Sequence, residues 1–193
     1  MIMKLILGIF KAGMLPALAL MLLLACGRSE AAEGKAIVVY FSWGGNTEAL
    51  AKEIQAQTGA DVFRIETVEP YPQDYNATVD KGREEQRENA RPALKQAKIE
   101  RLADYDTVFI GAPNWWSSIP MPVATFLEAN DFSGKTVAQF LTHGGGGVAN
   151  CDRDLQALCP GAKFTEVLSV GGSSARGAKE DVAEWLAAIG FAK

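Results

Sequence analysis

Strand-forming runs constrain this chain more than any other feature: "AIVVYF" (36–41) is continuously apolar, "DTVFIGA" (106–112) reads as a second buried strand, and "TVAQFLTH" (136–143) and "KFTEVLSV" (163–170) supply two more. A strand that shows one face to water alternates apolar and polar residues. A run without alternation belongs to a strand covered on both faces. "DVFRIETV" (61–68) does alternate, Val62 and Arg64 against Phe63 and Ile65, and reads as a strand nearer an edge. Between the strands lie helical stretches. One opens near Asn46 or Thr47, both good caps, carries Glu48 in its first turn and stops at Gly59. Others fall around 121–129, 149–158 and 178–189, where Val182, Trp185, Leu186 and Ile189 share a face and Gly190 supplies the stop. Five strands with helices between them predict an α/β fold, a doubly wound parallel sheet with helices on both faces. Segment 69–105 pairs turn chemistry, "EPYPQDY", with a mixed-charge run, "KGREEQRENAR", that reads as a solvated helix face.

The start of the chain follows a different logic. Lys4 and Lys11 flank short apolar stretches, Ala12 to Ala25 is almost wholly apolar, and "LLAC" (23–26) then turns polar at once. A basic start, an apolar middle and small residues at the boundary make an export signal over residues 1–25. Leu-x-Ala-Cys resembles a bacterial lipobox, which makes Cys26 the lipidation site and residues 26–35 a tether to a domain spanning 36–193. The implied location is the bacterial cell envelope, with the chain lipid-anchored outside the cytoplasmic membrane. An uncleaved anchor is the alternative, against which Lys11 and Pro16 interrupt the span.

Removing residues 1–25 takes away two lysines and no acid, so 19 basic and 23 acidic residues become 17 and 23, a net charge of −6. That balance and the lack of a basic patch exclude a nucleic-acid partner. Two further cysteines, Cys151 and Cys159, and a single histidine, His143, do not make a metal site. On one helix those cysteines would stand about 12 Å apart, out of disulfide reach; a pairing stays open if they are not.

Doubly wound sheets bind ligands beyond the carboxyl ends of their strands, which directs attention to three loops. Ser42-Trp43-Gly44-Gly45-Asn46-Thr47 combines amides, hydroxyls and a helix start, enough to hold a phosphate without a cation. It lacks the lysine of a triphosphate-binding loop and the G-x-G-x-x-G of a dinucleotide site. "GAPNWWSSIPMP" (111–122) sets two tryptophans after a buried strand, flat faces suited to a planar ligand. "THGGGGVAN" (142–150) offers exposed amides at a high entropic cost and carries His143. Each has a plainer reading: a tight turn, a pair of lid tryptophans, a mobile hinge.

Together, "VVYFSWGGNTEALAKEI", "GAPNWWSSIPMPVATFLE" and "FLTHGGGGVAN" resemble the three FMN-binding loops of the flavodoxin family, over residues 35–190. The resemblance implies a five-stranded parallel sheet in the order 2-1-3-4-5 and FMN as cofactor. It assigns Ser42, Gly44, Gly45, Asn46 and Thr47 to the phosphate, with Pro113, Asn114, Trp115 and Trp116 on one flavin-facing loop. Thr142, His143, Gly144 and Gly145 form the other, His143 being a candidate proton donor at the flavin edge. Gly44 stands where the family commonly has a hydroxyl. Trp116 stands where a glycine admits positive φ in one-electron carriers, which implies a bias to two-electron chemistry. The implied function is electron transfer through bound flavin, either as a carrier for redox partner proteins or as an oxidoreductase passing electrons from NAD(P)H to a small acceptor such as a quinone. A cofactor-free lipoprotein binding module on the same fold is the alternative.

Overall fold

The computed structural model describes residues 34–191. The stretch read as an export signal, Cys26 and most of the expected tether lie outside the described residues. The order of elements is β1 (Ala36–Tyr40), α1 (Asn46–Thr58), β2 (Asp61–Arg64), α2 (Tyr75–Arg87), β3 (Thr107–Pro113), α3 (Met121–Ala129), β4 (Thr136–His143), α4 (Cys151–Ala157), β5 (Lys163–Phe164), β6 (Leu168–Gly171) and α5 (Lys179–Ala188). Every strand pairing is parallel, in the order β2-β1-β3-β4-β5, with β6 also on β4.

The runs 36–41, 106–112 and 136–143 form buried strands, whereas 163–170 lies at the edge with Lys163, Glu166 and Ser169 exposed and only Leu168 and Val170 buried. Successive side chains of β1 point to opposite faces, and each face has its own core. Ile37 and Val39 join Val108, Ile110, Val137 and Leu141 under α3, which contributes Val123, Phe126 and Leu127. Val38 and Tyr40 join Phe109, Ala138 and Phe140 under α1 (Leu50, Ile54) and α5 (Val182, Trp185, Leu186). Gly111 lets the layers close on the second face, since a Cβ there would meet the Phe140 ring at 2.1 Å. The alternating segment is indeed an edge strand, and it is shorter than the sequence suggests.

The fifth strand is one element in sequence and two in space. Phe164 opposes Val137 and Leu168 opposes Phe140, so four steps on the fifth strand face three on β4. One extra residue is expelled as a bulge. The carbonyl of Glu166 thereby turns to accept a 2.8 Å hydrogen bond from the Trp185 indole. The mixed-charge run forms α2, capped by the Asp74 carboxylate, which accepts from the Ala77 amide at 2.8 Å.

One expectation needs correction, and one open question is decided. Neither Asn46 nor Thr47 caps α1; both already lie inside the helix, and Gly45 takes the cap position with φ +84°, a conformation open to glycine at little cost. Cys159 lies beyond the end of α4, so the two cysteines do not share a helix. Both are free and buried, and burial pushes each thiol up to about 12. No helix among the described residues is long and apolar enough to cross a membrane.

Candidate functional site

At the carboxyl ends of the central strands the loops enclose a cavity of about 650 Å³, within the roughly 300–1,000 Å³ typical of small-molecule sites. It lies between β1 and β3, where the order of strand addition reverses, the switch point of the sheet. Its walls hold Ser42, Gly44, Asn46, Thr47, Pro113, Asn114, Trp115, Thr142, His143, Gly144 and Gly145. These are all but two of the residues that the sequence nominated.

The first loop delivers unpaired donors. Ser42 is buried, and its Oγ accepts the Gly45 amide at 3.1 Å, which folds the loop back on itself. The amides of Asn46, Thr47 and Glu48 at the start of α1 donate to no protein acceptor among the described residues. They converge with the positive end of the helix dipole, the arrangement that holds an anion. Thr47 is buried, and its hydroxyl meets that of Thr142 at 2.9 Å. That bond ties the loop after β1 to the end of β4 across the floor of the cavity.

The other two loops are bound to one another. The Asn114 amide donates to the Thr142 carbonyl at 2.7 Å, and Asn114 Nδ2 donates to the Gly147 carbonyl at 2.8 Å. His143 is half-buried, and its Nδ1 accepts the Gly145 amide at 3.0 Å. In the neutral ring the proton therefore sits on Nε2, which is left free to donate.

Gly45 and Trp116 do not line the cavity. Gly45 contributes its backbone conformation. Trp116 sits at the second position of a tight turn in which Trp115 and Ser118 exchange hydrogen bonds of 2.9 and 3.0 Å. The turn holds Trp116 at φ +53° and Ser117 at φ +65°, the backbone of a type I′ turn. The expectation that Trp116 resists positive φ is overturned, and the bias to two-electron chemistry loses its premise. The cost of that backbone, on the order of 1 kcal/mol per residue, is offset by the turn's hydrogen bonds and by the Trp116 ring. Its Nε1 donates to the Val79 carbonyl at 3.0 Å, and Arg83 lies 3.9 Å from its centroid.

The structure adds residues that the sequence reading missed. Tyr75, at the start of α2, joins the wall opposite Trp43, their centroids 6.2 Å apart. Trp43 lies inside the first loop and its Nε1 donates to the Pro72 carbonyl at 2.9 Å, so the loop is tethered to the start of α2. Gly171, the last residue of β6, and Gly172 and Ser173 of the loop after it close the remaining side. The signal for them was "GGSS" at the carboxyl end of the fifth strand, by the rule applied to the other three loops. Trp115 lines the cavity while its ring packs edge-on against Phe41 and Tyr71, at 5.5 and 5.1 Å. It is a rigid wall rather than a mobile lid.

A second recess of about 230 Å³ adjoins the first, walled by Trp43, Tyr75, Thr78, Val79, Asn114, Trp115 and Trp116. It shares four of these with the main cavity and carries no charged side chain. Among the described residues no group of three or more His, Cys, Asp or Glu is placed to hold a metal ion.

A parallel doubly wound sheet with an uncharged, amide-rich cleft at its switch point defines the class of flavodoxin-like α/β proteins. The family described as Flavodoxin matches this sequence over residues 35–189, and the chain belongs to it. A candidate flavoprotein from Bacteroides eggerthii, 32% identical, superimposes with a TM-score of 0.71 over 81% of this chain and 98% of its own. A flavoprotein from Lactobacillus acidophilus, solved in complex with FMN, shares the fold with a TM-score of 0.61 at 21% identity, over 79% of this chain and 98% of its own. Among curated proteins, an NAD(P)H dehydrogenase (quinone) from Caulobacter vibrioides is 30% identical over 100 residues. That stretch is 49% of this chain and 46% of the relative, so the match spans about half of each.

Proposed function

We propose that this chain is an FMN-binding redox protein. The observation that carries the reading is the cavity on which four loops converge, with free amides of α1 and aromatic walls both facing it. The residues fit the cofactor. The amides of Asn46, Thr47 and Glu48 and the Ser42 hydroxyl suit its phosphate. Asn114, Trp115, His143 and the Gly144–Gly145 backbone suit a flat, hydrogen-bonding ring system. Bound FMN would supply the electron-accepting chemistry. The protein's part is to orient the ring, exclude water from its inner face and present the His143 Nε2 proton at its edge. The FMN held by the Lactobacillus flavoprotein supports this choice of ligand.

Within that reading, a two-electron reductase is favoured over a carrier. The partial likeness to an NAD(P)H dehydrogenase (quinone) supports it, and so does the uncharged aromatic recess beside the cavity, which suits a planar neutral acceptor. The net reaction would consume NAD(P)H, a proton and a quinone and release NAD(P)+ and the hydroquinone. Purified protein should show flavin absorption bands and oxidise NAD(P)H faster when a quinone is added. A preparation that stays colourless after added FMN returns the cofactor-free binding module. Flavin bands without NAD(P)H turnover leave the carrier. For the envelope, export and lipid attachment at Cys26 are part of the proposal. Fatty-acid labelling lost in Cys26→Ser tests them.

A further inference from the structure

The cavity lining contains no lysine, arginine, aspartate or glutamate, yet a cation stands just outside it. The chain leaving β6 makes a short turn over Ala175–Gly177 that packs on α1. There Arg176 Nη2 comes within 3.8 Å of the point where a Cβ on Gly45 would sit. Gly45 is the cap of α1, one residue before the free amides.

Three basic side chains approach this end of the helix, and they differ in what they are already bound to. Lys52 pairs with Glu48 at 2.7 Å. Arg64 pairs with the same carboxylate at 3.1 Å and donates to the Ser42 carbonyl at 3.3 Å. Their charge is largely spent on Glu48, whose carboxyl they hold below its usual range. Arg176 takes part in no ion pair and no hydrogen bond among the described residues, and its side chain is exposed. An uncommitted guanidinium beside a cluster of uncommitted amides is the partner a dianion lacks here.

We propose that Arg176 binds the phosphate group of the flavin mononucleotide, closing over it from the β6 side, and so makes the site selective for the phosphorylated flavin. The inference rests on the FMN reading. Gly44 and Gly45 matter to it physically: neither presents a side chain between the guanidinium and the amides of α1. On the other side, a Cβ at Gly172 would meet Asn46 Nδ2 at 2.8 Å, so the glycine leaves room for the Asn46 side chain at the start of α1. The planar fork of arginine suits a phosphate with two or three free oxygens. Lysine at 176 would keep the charge and lose the bidentate geometry.

The test is a comparison of FMN with riboflavin, which carries the same ring without the phosphate, titrated into the full chain by flavin fluorescence. Arg176→Ala should weaken FMN binding at least tenfold and leave riboflavin within twofold, with Arg176→Lys in between. A charge-assisted hydrogen bond is of the size that supports about a tenfold change or more. The FMN affinity of the wild-type chain should also fall more steeply with salt than that of Arg176→Ala. The inference is overturned if Arg176→Ala binds FMN as well as the wild type does. It is equally overturned if FMN and riboflavin weaken together, because Arg176 would then act through the fold. If the wild-type chain binds neither flavin, the FMN reading itself fails and this inference falls with it. Arg176 is exposed and packs no core, so loss of folding does not obscure the result.

Discussion

Gly44 offers the sharpest perturbation of this site, because the space beside it is open. A Cβ on Gly44 would meet nothing within 4 Å, and its φ lies outside the left-handed region. Substitution therefore meets neither a clash nor backbone strain. Gly44 also lines the cavity next to the free amides of α1. Gly44→Thr adds one hydroxyl donor where the phosphate of FMN would lie. A hydrogen bond to a charged group contributes ~1.5–3 kcal/mol, and fixing the new rotor costs up to about 1 kcal/mol. The net is on the order of 1 kcal/mol, or FMN binding about fivefold tighter. Gly44→Ala separates this from backbone effects: it restricts the unfolded chain, raising stability by roughly 0.4–1 kcal/mol, and supplies no donor. The assay is a flavin fluorescence titration of the wild type and both variants, with thermal midpoints measured alongside. The reasoning is refuted if Gly44→Thr binds FMN no tighter than Gly44→Ala. A lower midpoint for Gly44→Ala would refute the structural premise that this position is free.

Other consequences concern single groups. Burial raises the Glu85 carboxyl above its usual 4.5, opposed by a hydrogen bond from the Tyr71 hydroxyl. A raised folded value means that the group's contribution to stability is fully present below pH 4.5 and is lost as pH rises through that raised value. Urea midpoints of the wild type, relative to Glu85→Gln, should fall across that window; parallel curves would show that Glu85 is not buried as described. Cys151 and Cys159, with thiols pushed up to about 12, should ignore a thiol reagent at pH 8 in the folded chain and react on unfolding. Prompt labelling of the native protein would contradict their burial. His143→Ala should lower the potential of bound flavin, since the free Nε2–H donor is lost. An unchanged potential removes the role given to His143.

The strength of the sequence lay in its strands. A strand covered on both faces is mostly apolar, so "AIVVYF" and, despite its buried Gln139 and Thr142, "TVAQFLTH" announced both a parallel sheet and its helical layers. The loops at their carboxyl ends followed from that, because a parallel sheet places those ends together. The cap of α1 was misread for a local reason. Asn46 and Thr47 are good caps in isolation, but Thr47 is needed inside the first turn, two residues past the cap, to meet Thr142, 95 residues away. Propensity describes a residue's immediate neighbours, and that contact is not among them.

By itself, then, the sequence determined which strands are buried, that they run parallel, and that an uncharged, glycine-rich cleft forms where β1, β3 and β4 end. Each of these follows from residue types within a few positions of one another. Only the tertiary structure decided who else stands at the cleft. Tyr75 arrives from the start of α2, and Gly171 to Ser173 and Arg176 from beyond the fifth strand. It also set the backbone of Trp116, whose positive φ is held by a turn and by a hydrogen bond to a carbonyl of α2. Such placements depend on how layers pack and where a bulge falls; of these residues only Gly171 to Ser173 left a local signal, the "GGSS" at the end of the fifth strand.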